Sequence, residues 1–207
     1  MKIAIIDYGG GNLFSIKKAF DFLKIRAEIS SDPREWEKSN ALVFPGQGNF
    51  VQAVENLRLN GNFYTLKDLL GEKPYLGICL GMQILFEESE EAVDMEMKGL
   101  SILKGKVKKL KSFKLPHLGW NQVEIINPSV ILKDIPNNSF FYFVHSYYVE
   151  CEKDIIVGLT DYEGTFPSII QKDNIFGVQF HPEKSSTLGL KIIKNFVEHV
   201  YDSYSCC

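Results

Sequence analysis

The sequence predicts an α/β fold, a doubly wound and mostly parallel sheet flanked by helices, with antiparallel strands added in its second half. Three observations carry that expectation. Short apolar runs from Ile3 to Ile6, Ala41 to Phe44 and Tyr75 to Ile78 suit parallel strands buried on both faces. A loop and then apolar residues at helical spacing follow each run, the alternation from which doubly wound sheets are built. The second half instead carries short Val-, Ile-, Tyr- and Phe-rich stretches between turn signals such as Asn127-Pro128, Pro136-Asn137-Asn138 and Asp161-Tyr162-Glu163-Gly164.

Taken in order, the first strand opens into Gly9-Gly10-Gly11-Asn12, after which Leu13, Phe14, Ile16, Ala19, Phe20 and Leu23 mark a helix. Pro45-Gly46-Gln47-Gly48 ends the second strand; Val51, Val54 and Leu57, then Phe63, Leu66, Leu69 and Leu70, mark two more helices. The third strand gives way at Cys79 to a helix expected to carry Met82, Ile84, Leu85 and Phe86. Two charge clusters follow: Glu87, Glu88, Glu90, Glu91, Asp94 and Glu96, then Lys104, Lys106, Lys108, Lys109, Lys111 and Lys114. They read as solvated faces, the lysines alternating with Val107, Leu110 and Phe113 along a hairpin. A last helix runs from Ser185 or Ser186 to Val200, with Leu190, Ile193, Phe196, Val197 and Val200 on one side.

At 207 residues, with neither repeat nor low-complexity linker, one domain over 1–207 is expected. Hydrophobic residues at 45% and charged residues at 24% describe a globular chain with a full core. A net charge of −3 offers no electrostatic footprint for nucleic acid or an anionic membrane. No segment reaches the length of a membrane span, and the first apolar run, cut off by Asp7, is too short for an export signal. The four cysteines, Cys79, Cys151, Cys206 and Cys207, have neither the density of a disulfide scaffold nor zinc-ligand spacing. A reducing cytoplasm is expected, with no metal, no cofactor and no role for the Cys206-Cys207 end.

One pentapeptide stands out. Gly77-Ile78-Cys79-Leu80-Gly81 has the Gly-x-nucleophile-x-Gly pattern of an elbow that lifts its central residue off the sheet. There the unpaired N–H groups of a starting helix favour a thiolate. Taken alone, the pattern equally fits a structural cysteine between packing glycines. A second motif tips the balance. His181 leaves a strand end in Gly177-Val178-Gln179-Phe180-His181-Pro182-Glu183, with a carboxylate two residues on that can orient its ring. His199 reads as surface and His117 as structural support for a turn at Trp120.

Gly77-Ile78-Cys79-Leu80-Gly81-Met82-Gln83 together with His181-Pro182-Glu183 resembles the class I glutamine amidotransferase family. The resemblance implies a flavodoxin-like fold and a glutaminase site in which Cys79 attacks glutamine, His181 is acid and base, and Glu183 orients His181. It implies an oxyanion hole from Leu80 and the Gly46, Gln47, Gly48 loop, with Gln83, His145, Ser146 and Tyr147 holding glutamine. Asp7 to Asn12, Leu115-Pro116-His117-Leu118-Gly119-Trp120-Asn121, Phe141 to Tyr147 and His181 to Ser185 are similar to the glutaminase subunits of imidazole glycerol phosphate synthase. That resemblance implies a heterodimer with a separate (β/α)8-barrel cyclase, met by Asn12, Trp120 and Lys184, which would receive ammonia for histidine biosynthesis. Paralogous subunits that supply ammonia for amidination of bacterial surface sugars share these motifs and form the alternative.

Overall fold

The structure, a computed structural model, describes residues 1–92 and 97–205; Asp94, Glu96, Cys206 and Cys207 lie outside them. The first half alternates strand and helix: β1 (Ile3–Ile6), α1 (Leu13–Phe22), β2 (Ala27–Ser30), α2 (Pro33–Glu37), β3 (Ala41–Phe44), α3 (Phe50–Leu59), α4 (Phe63–Leu69), β4 (Tyr75–Ile78) and α5 (Leu80–Gln83). The second half adds β5 (Phe86–Ser89), β6 (Leu103–Lys109), β7 (His117–Ile125), β8 (Ser139–His145), β9 (Tyr147–Cys151), β10 (Ile156–Asp161), β11 (Thr165–Lys172), β12 (Ile175–Val178) and α6 (Ser186–Ser205).

Among the described residues a nine-stranded sheet runs β2-β1-β3-β4-β12-β11-β10-β7-β8, and a three-stranded one runs β5-β6-β9. From β2 to β12 every pairing is parallel; from β12 outward every pairing is antiparallel. The expected fold class is therefore the observed one, a flavodoxin-like parallel core with an antiparallel extension. β1, β3, β4 and β12 are buried along their whole lengths, which is why they read as continuous apolar runs. One hydrophobic cluster packs α1 and α6 against one face of the sheet, and a second packs α3 and α4 against the other. No helix among the described residues is long and apolar enough to cross a membrane.

Five local expectations need correction. The helix after Cys79 ends at Gln83, and Phe86 begins β5. The carbonyls of Ile84, Leu85 and Glu87 accept instead from Leu100, Ile102 and Gly99, so the second sheet takes the backbone a longer helix would need. β2 and α2 escaped the apolar reading because β2 is an edge strand, only half-buried beyond Ala27. The lysines of β6 do not form a hairpin with the segment that follows. β6 is the centre of the three-stranded sheet, Lys108 pairs with Glu150 of β9 at 2.6 Å, and Phe113 is fully exposed. Trp120 lies mid-strand in β7 rather than on a turn. His199 is half-buried against Phe176 and hydrogen-bonded to Asn174, because α6 continues to Ser205.

Candidate active site

The strands β3, β4 and β12 lie side by side, and the loops at their carboxyl ends meet at one place. In open α/β sheets this edge is where ligands bind. Cys79 follows β4 directly with φ +48° and ψ −100°, a conformation that costs a non-glycine residue about 1–3 kcal/mol. The surrounding glycines make the elbow possible. A Cβ on Gly77 would lie 2.8 Å from the Met82 nitrogen, and one on Gly81 would lie 2.6 Å from the Phe44 carbonyl oxygen. The strand, the turn and α5 thus approach closer than any side chain permits.

His181 is fully buried, and its Nδ1 is 2.8 Å from Glu183 Oε1, whose own side chain is 2% exposed. The carboxylate can only accept when ionised, so Nδ1 carries the hydrogen and Nε2 is turned the other way. Nε2 makes no aligned hydrogen bond. The Cys79 sulfur lies close enough to favour the charged form of the ring. Burial pushes the imidazolium toward neutrality, but Cys79 and Glu183 outweigh it and lift its pKa to about 9. The Gly46 backbone lies against the same ring, since a Cβ there would come 2.8 Å from His181 Cε1.

A cavity of about 340 Å³ opens over the sulfur, lined by Gly46, Gln47, Gly48, Cys79, Leu80, Gln83, Glu91, Val144, His145, Ser146 and Tyr147. Every expected glutamine-contacting residue therefore lies on this one cavity. The oxyanion loop is turned the wrong way for its expected task. The Gly46 carbonyl accepts the Leu80 N–H at 3.4 Å, so the N–H of the same peptide, on Gln47, points away from Leu80. The Tyr8 hydroxyl, buried and stacked on Phe44, donates to the next carbonyl, that of Gln47.

Two polar groups at the site escaped the motif reading. Glu91, counted with a solvated acidic cluster, is half-buried on the cavity wall, and its carboxylate accepts the Phe50 N–H at 2.6 Å. Burial raises its pKa, partly offset by that N–H and by Asn49. Gln179 is fully buried and donates from Nε2 to the Cys79 sulfur at 3.4 Å. A usable signal existed for the second: in extended chain, residues 179 and 181 point to the same side. Glu91 carried none, because only folding brings the chain after β5 back over the cavity.

His145 is part of the cavity wall, and a second histidine, His117, stands behind it. His145 Nδ1 is 2.8 Å from the Tyr147 carbonyl oxygen, and its Nε2 is 3.0 Å from His117 Nδ1. His117 Nε2 is 3.2 Å from the Asn121 amide nitrogen. A carbonyl only accepts, so His145 carries its hydrogen on Nδ1, His117 on Nδ1 too, and both rings are neutral. Burial lowers His117 to about 4. It lowers His145 to about 3, resisted by the Tyr147 carbonyl and aided by the proximity of His117 and His181, since a second positive ring beside them is unfavourable.

Asn12, Trp120 and Lys184, expected to face a partner, lie on three segments linked in series through Tyr142 and the Pro182–Lys184 turn. Trp120 stands edge-on to the Tyr142 ring at 6.0 Å, and the Tyr142 backbone bonds to His181 and Ser185, which flank the Pro182–Lys184 turn. That turn packs on α1, whose first turn Asn12 caps by accepting the Ser15 N–H. Lys184 has no ion pair among the described residues, and Leu118, Trp120 and Phe140 are more than half exposed on one face of β7 and β8. A larger groove of about 540 Å³, lined by Ser129, Lys133, Gln171, Asn195, Glu198 and His199 among others, holds no nucleophile–base pair. No three His, Cys, Asp or Glu side chains among the described residues are grouped to hold a metal ion.

A family model described as glutamine amidotransferase class-I matches residues 4–200. The chain is 52% identical to imidazole glycerol phosphate synthase subunit HisH of Methanocaldococcus jannaschii over 198 residues, 95% of this chain and 98% of that one. With the same-named subunit of Pyrococcus furiosus it shares 50% over 202 residues, covering 94% and 97%. Among solved structures it is similar to a Thermoplasma acidophilum protein described as a GMP synthase subunit. The TM-score is 0.77 at 20% identity, with 100% of this chain and 96% of that one covered, a likeness of fold alone.

Proposed function

The chain belongs to the class I glutamine amidotransferase family and, with its HisH relatives, to the glutaminase subunits of imidazole glycerol phosphate synthase, and from that premise we propose how its residues do the work. Residues 1–207 act as one glutaminase domain. Glutamine enters the cavity over Cys79 with its side-chain amide against the sulfur. The thiolate attacks the amide carbon, the C–N bond breaks, and His181 gives its proton to the departing nitrogen. Water then gives a proton to His181 and attacks the glutamyl thioester. The C–S bond breaks with its electron pair returning to sulfur, and glutamate leaves. Two easier steps replace one hard displacement on an amide.

The observation that carries this reading is the His181–Glu183 pair, which leaves Nε2 open toward Cys79. A pKa near 9 keeps His181 charged at neutral pH, as an acid for the first step requires. At the other end of the cavity Glu91 takes the α-ammonium of glutamine, and the backbone of His145, Ser146 and Tyr147 meets its amino-acid end. No cofactor enters any step.

Leu80 N–H is one oxyanion donor and Gln47 N–H the second, delivered when the Gly46–Gln47 peptide flips. With the Gly46 carbonyl aimed at Leu80, the isolated chain is switched off. A missing donor costs about 3 kcal/mol, a hundredfold or more in rate. The flip is driven by a partner, a (β/α)8-barrel cyclase forming a heterodimer over Trp120, Asn12 and Lys184, which uses the ammonia in histidine biosynthesis. The kinship with imidazole glycerol phosphate synthase subunits favours this pathway over sugar amidination. A free nucleophilic thiol suits the reducing cytoplasm.

The test measures product formation by the cyclase complex with glutamine and, separately, with ammonium salt, alongside glutamine hydrolysis by this chain alone. Wild type should hydrolyse glutamine at least about 100-fold faster in the complex than alone. Cys79→Ala should lose glutamine-dependent product and keep ammonia-dependent product. Equal hydrolysis with and without the partner, or glutamine use surviving in Cys79→Ala, would refute the reading.

A further inference from the structure

We propose that Gln179 is a catalytic residue: its side-chain amide donates a hydrogen bond to the Cys79 sulfur, holding the thiolate before attack and receiving charge on the sulfur when the thioester breaks. The proposal deepens the glutaminase reading and rests on it for the second of those moments, but not for the first.

Geometry carries it. Gln179 Nε2 lies 3.4 Å from Cys79 Sγ, and the side chain is fully buried. A buried primary amide is costly unless its polar atoms are paired, so its orientation is set by what it meets. Its Oε1 accepts from Gln83 Nε2 at 3.3 Å, and that same nitrogen donates to the Tyr147 carbonyl at 2.9 Å. Both amide hydrogens of Gln83 are thereby committed, which leaves Gln83 only an acceptor to offer the cavity. The Tyr147 carbonyl is held from its other side by the His145 Nδ1–H, itself fixed through His117 to Asn121. Each donor in this chain has one acceptor to choose, so the Gln179 amide cannot rotate without breaking a buried bond. Its N–H is presented to the sulfur and its carbonyl is kept away.

The sulfur needs that donor. His181 meets it from one side without an aligned hydrogen bond, and the Val144 carbonyl, an acceptor, lies 4.0 Å off. A thiolate between an imidazolium and a carbonyl has one favourable neighbour; the amide supplies a second. Because the donor is fixed before the reaction, it costs no reorganisation when charge returns to sulfur as the C–S bond breaks.

The experiment follows alkylation of Cys79 by iodoacetamide against pH in the full-length chain, read at the Cys79 peptide by mass spectrometry. Glutamine turnover plays no part, so failure of the glutaminase reading would leave this result standing. Gln179→Met keeps the volume and removes the donor. Gln179→Asn keeps a buried amide but withdraws it by one methylene, and covers the case in which the first variant does not fold. A hydrogen bond to a charged group corresponds to about one unit of pKa, so the alkylation midpoint should rise by about one unit, a tenfold loss of thiolate below the midpoint. In the cyclase complex the same variants should lower kcat for glutamine and leave ammonia-dependent synthesis intact. A folded variant whose midpoint coincides with that of wild type would overturn the proposal.

Discussion

The ends of β12 and β8 each bring a buried imidazole to the surroundings of Cys79, the proposed nucleophile, and hold one ring charged and the other neutral. His181 is lifted to about 9, whereas His145 is pressed down to about 3. Burial disfavours the charged ring at both places, so burial is not what separates them. His181 faces a carboxylate and a sulfur; His145 faces a carbonyl and a second imidazole. The first pair of neighbours gains when the ring carries a proton, and the second would set N–H against N–H. A histidine becomes an acid–base group through its partners, and the same side chain, differently partnered, becomes a rigid spacer.

The contrast is broken most severely at Glu183. Glu183→Gln removes the carboxylate that favours charged His181, and glutamine hydrolysis in the cyclase complex should fall by about 100-fold or more. The His181 titration, followed by NMR, should move below its value of about 9. A ring still titrating there would mean that Glu183 only orients it.

Stability against pH sharpens the contrast, because the two environments act in different windows. The unfolded chain protonates His117 and His145 near 6.5, but the native protein does so only near 4 and 3. Their contribution is intact above pH 6.5 and is lost as pH falls through that interval. The slope is roughly 1.4 kcal/mol per pH unit for each ring. For His181 the sign reverses: its contribution is intact below pH 6.5 and disappears as pH rises through about 9. Urea denaturation between pH 7 and 5 should show the acid-side loss, and His117→Phe should remove about half of it. An unchanged slope in that variant would show that His117 is not held neutral.

The smallest effect is expected far from both rings. The Lys191–Asp134 pair joins α6 to the segment before β8 at 3.0 Å, with the Asp134 side chain 68% exposed. Asp134→Asn should leave both the thermal midpoint and glutamine turnover within error, since exposed ion pairs are screened and entropically weak. A measurable fall would point to a role for α6 that its packing does not suggest.

The strand ends that carry Cys79 and His181 were legible because backbone constraints there are written into the sequence. Gly77 and Gly81 are required by contacts too close for a Cβ, and β4 and β12 by burial on both faces. The cavity wall was legible only through family resemblance at His145, Ser146 and Tyr147, since nothing in the local spacing marks a strand end in an antiparallel region. Glu91 was misassigned as solvated. Its neighbours in sequence are charged, while its neighbours in space are the N-terminus of α3 and the cavity. Phe113, assigned an inward face by alternation, proved exposed because β6 ends before it.

By itself, the sequence determined where the four fully buried parallel strands run, which cysteine sits on the elbow and which histidine carries a carboxylate two residues on. Each of these depends on residues close together in the chain. Only the tertiary structure decided how Gln179 meets Cys79 a hundred positions away, which way the Gly46–Gln47 peptide points, and why His117 and His145 stay neutral. Hydrogen-bond direction and charge state belong to the atoms that surround a group in space, and chain order does not specify those surroundings.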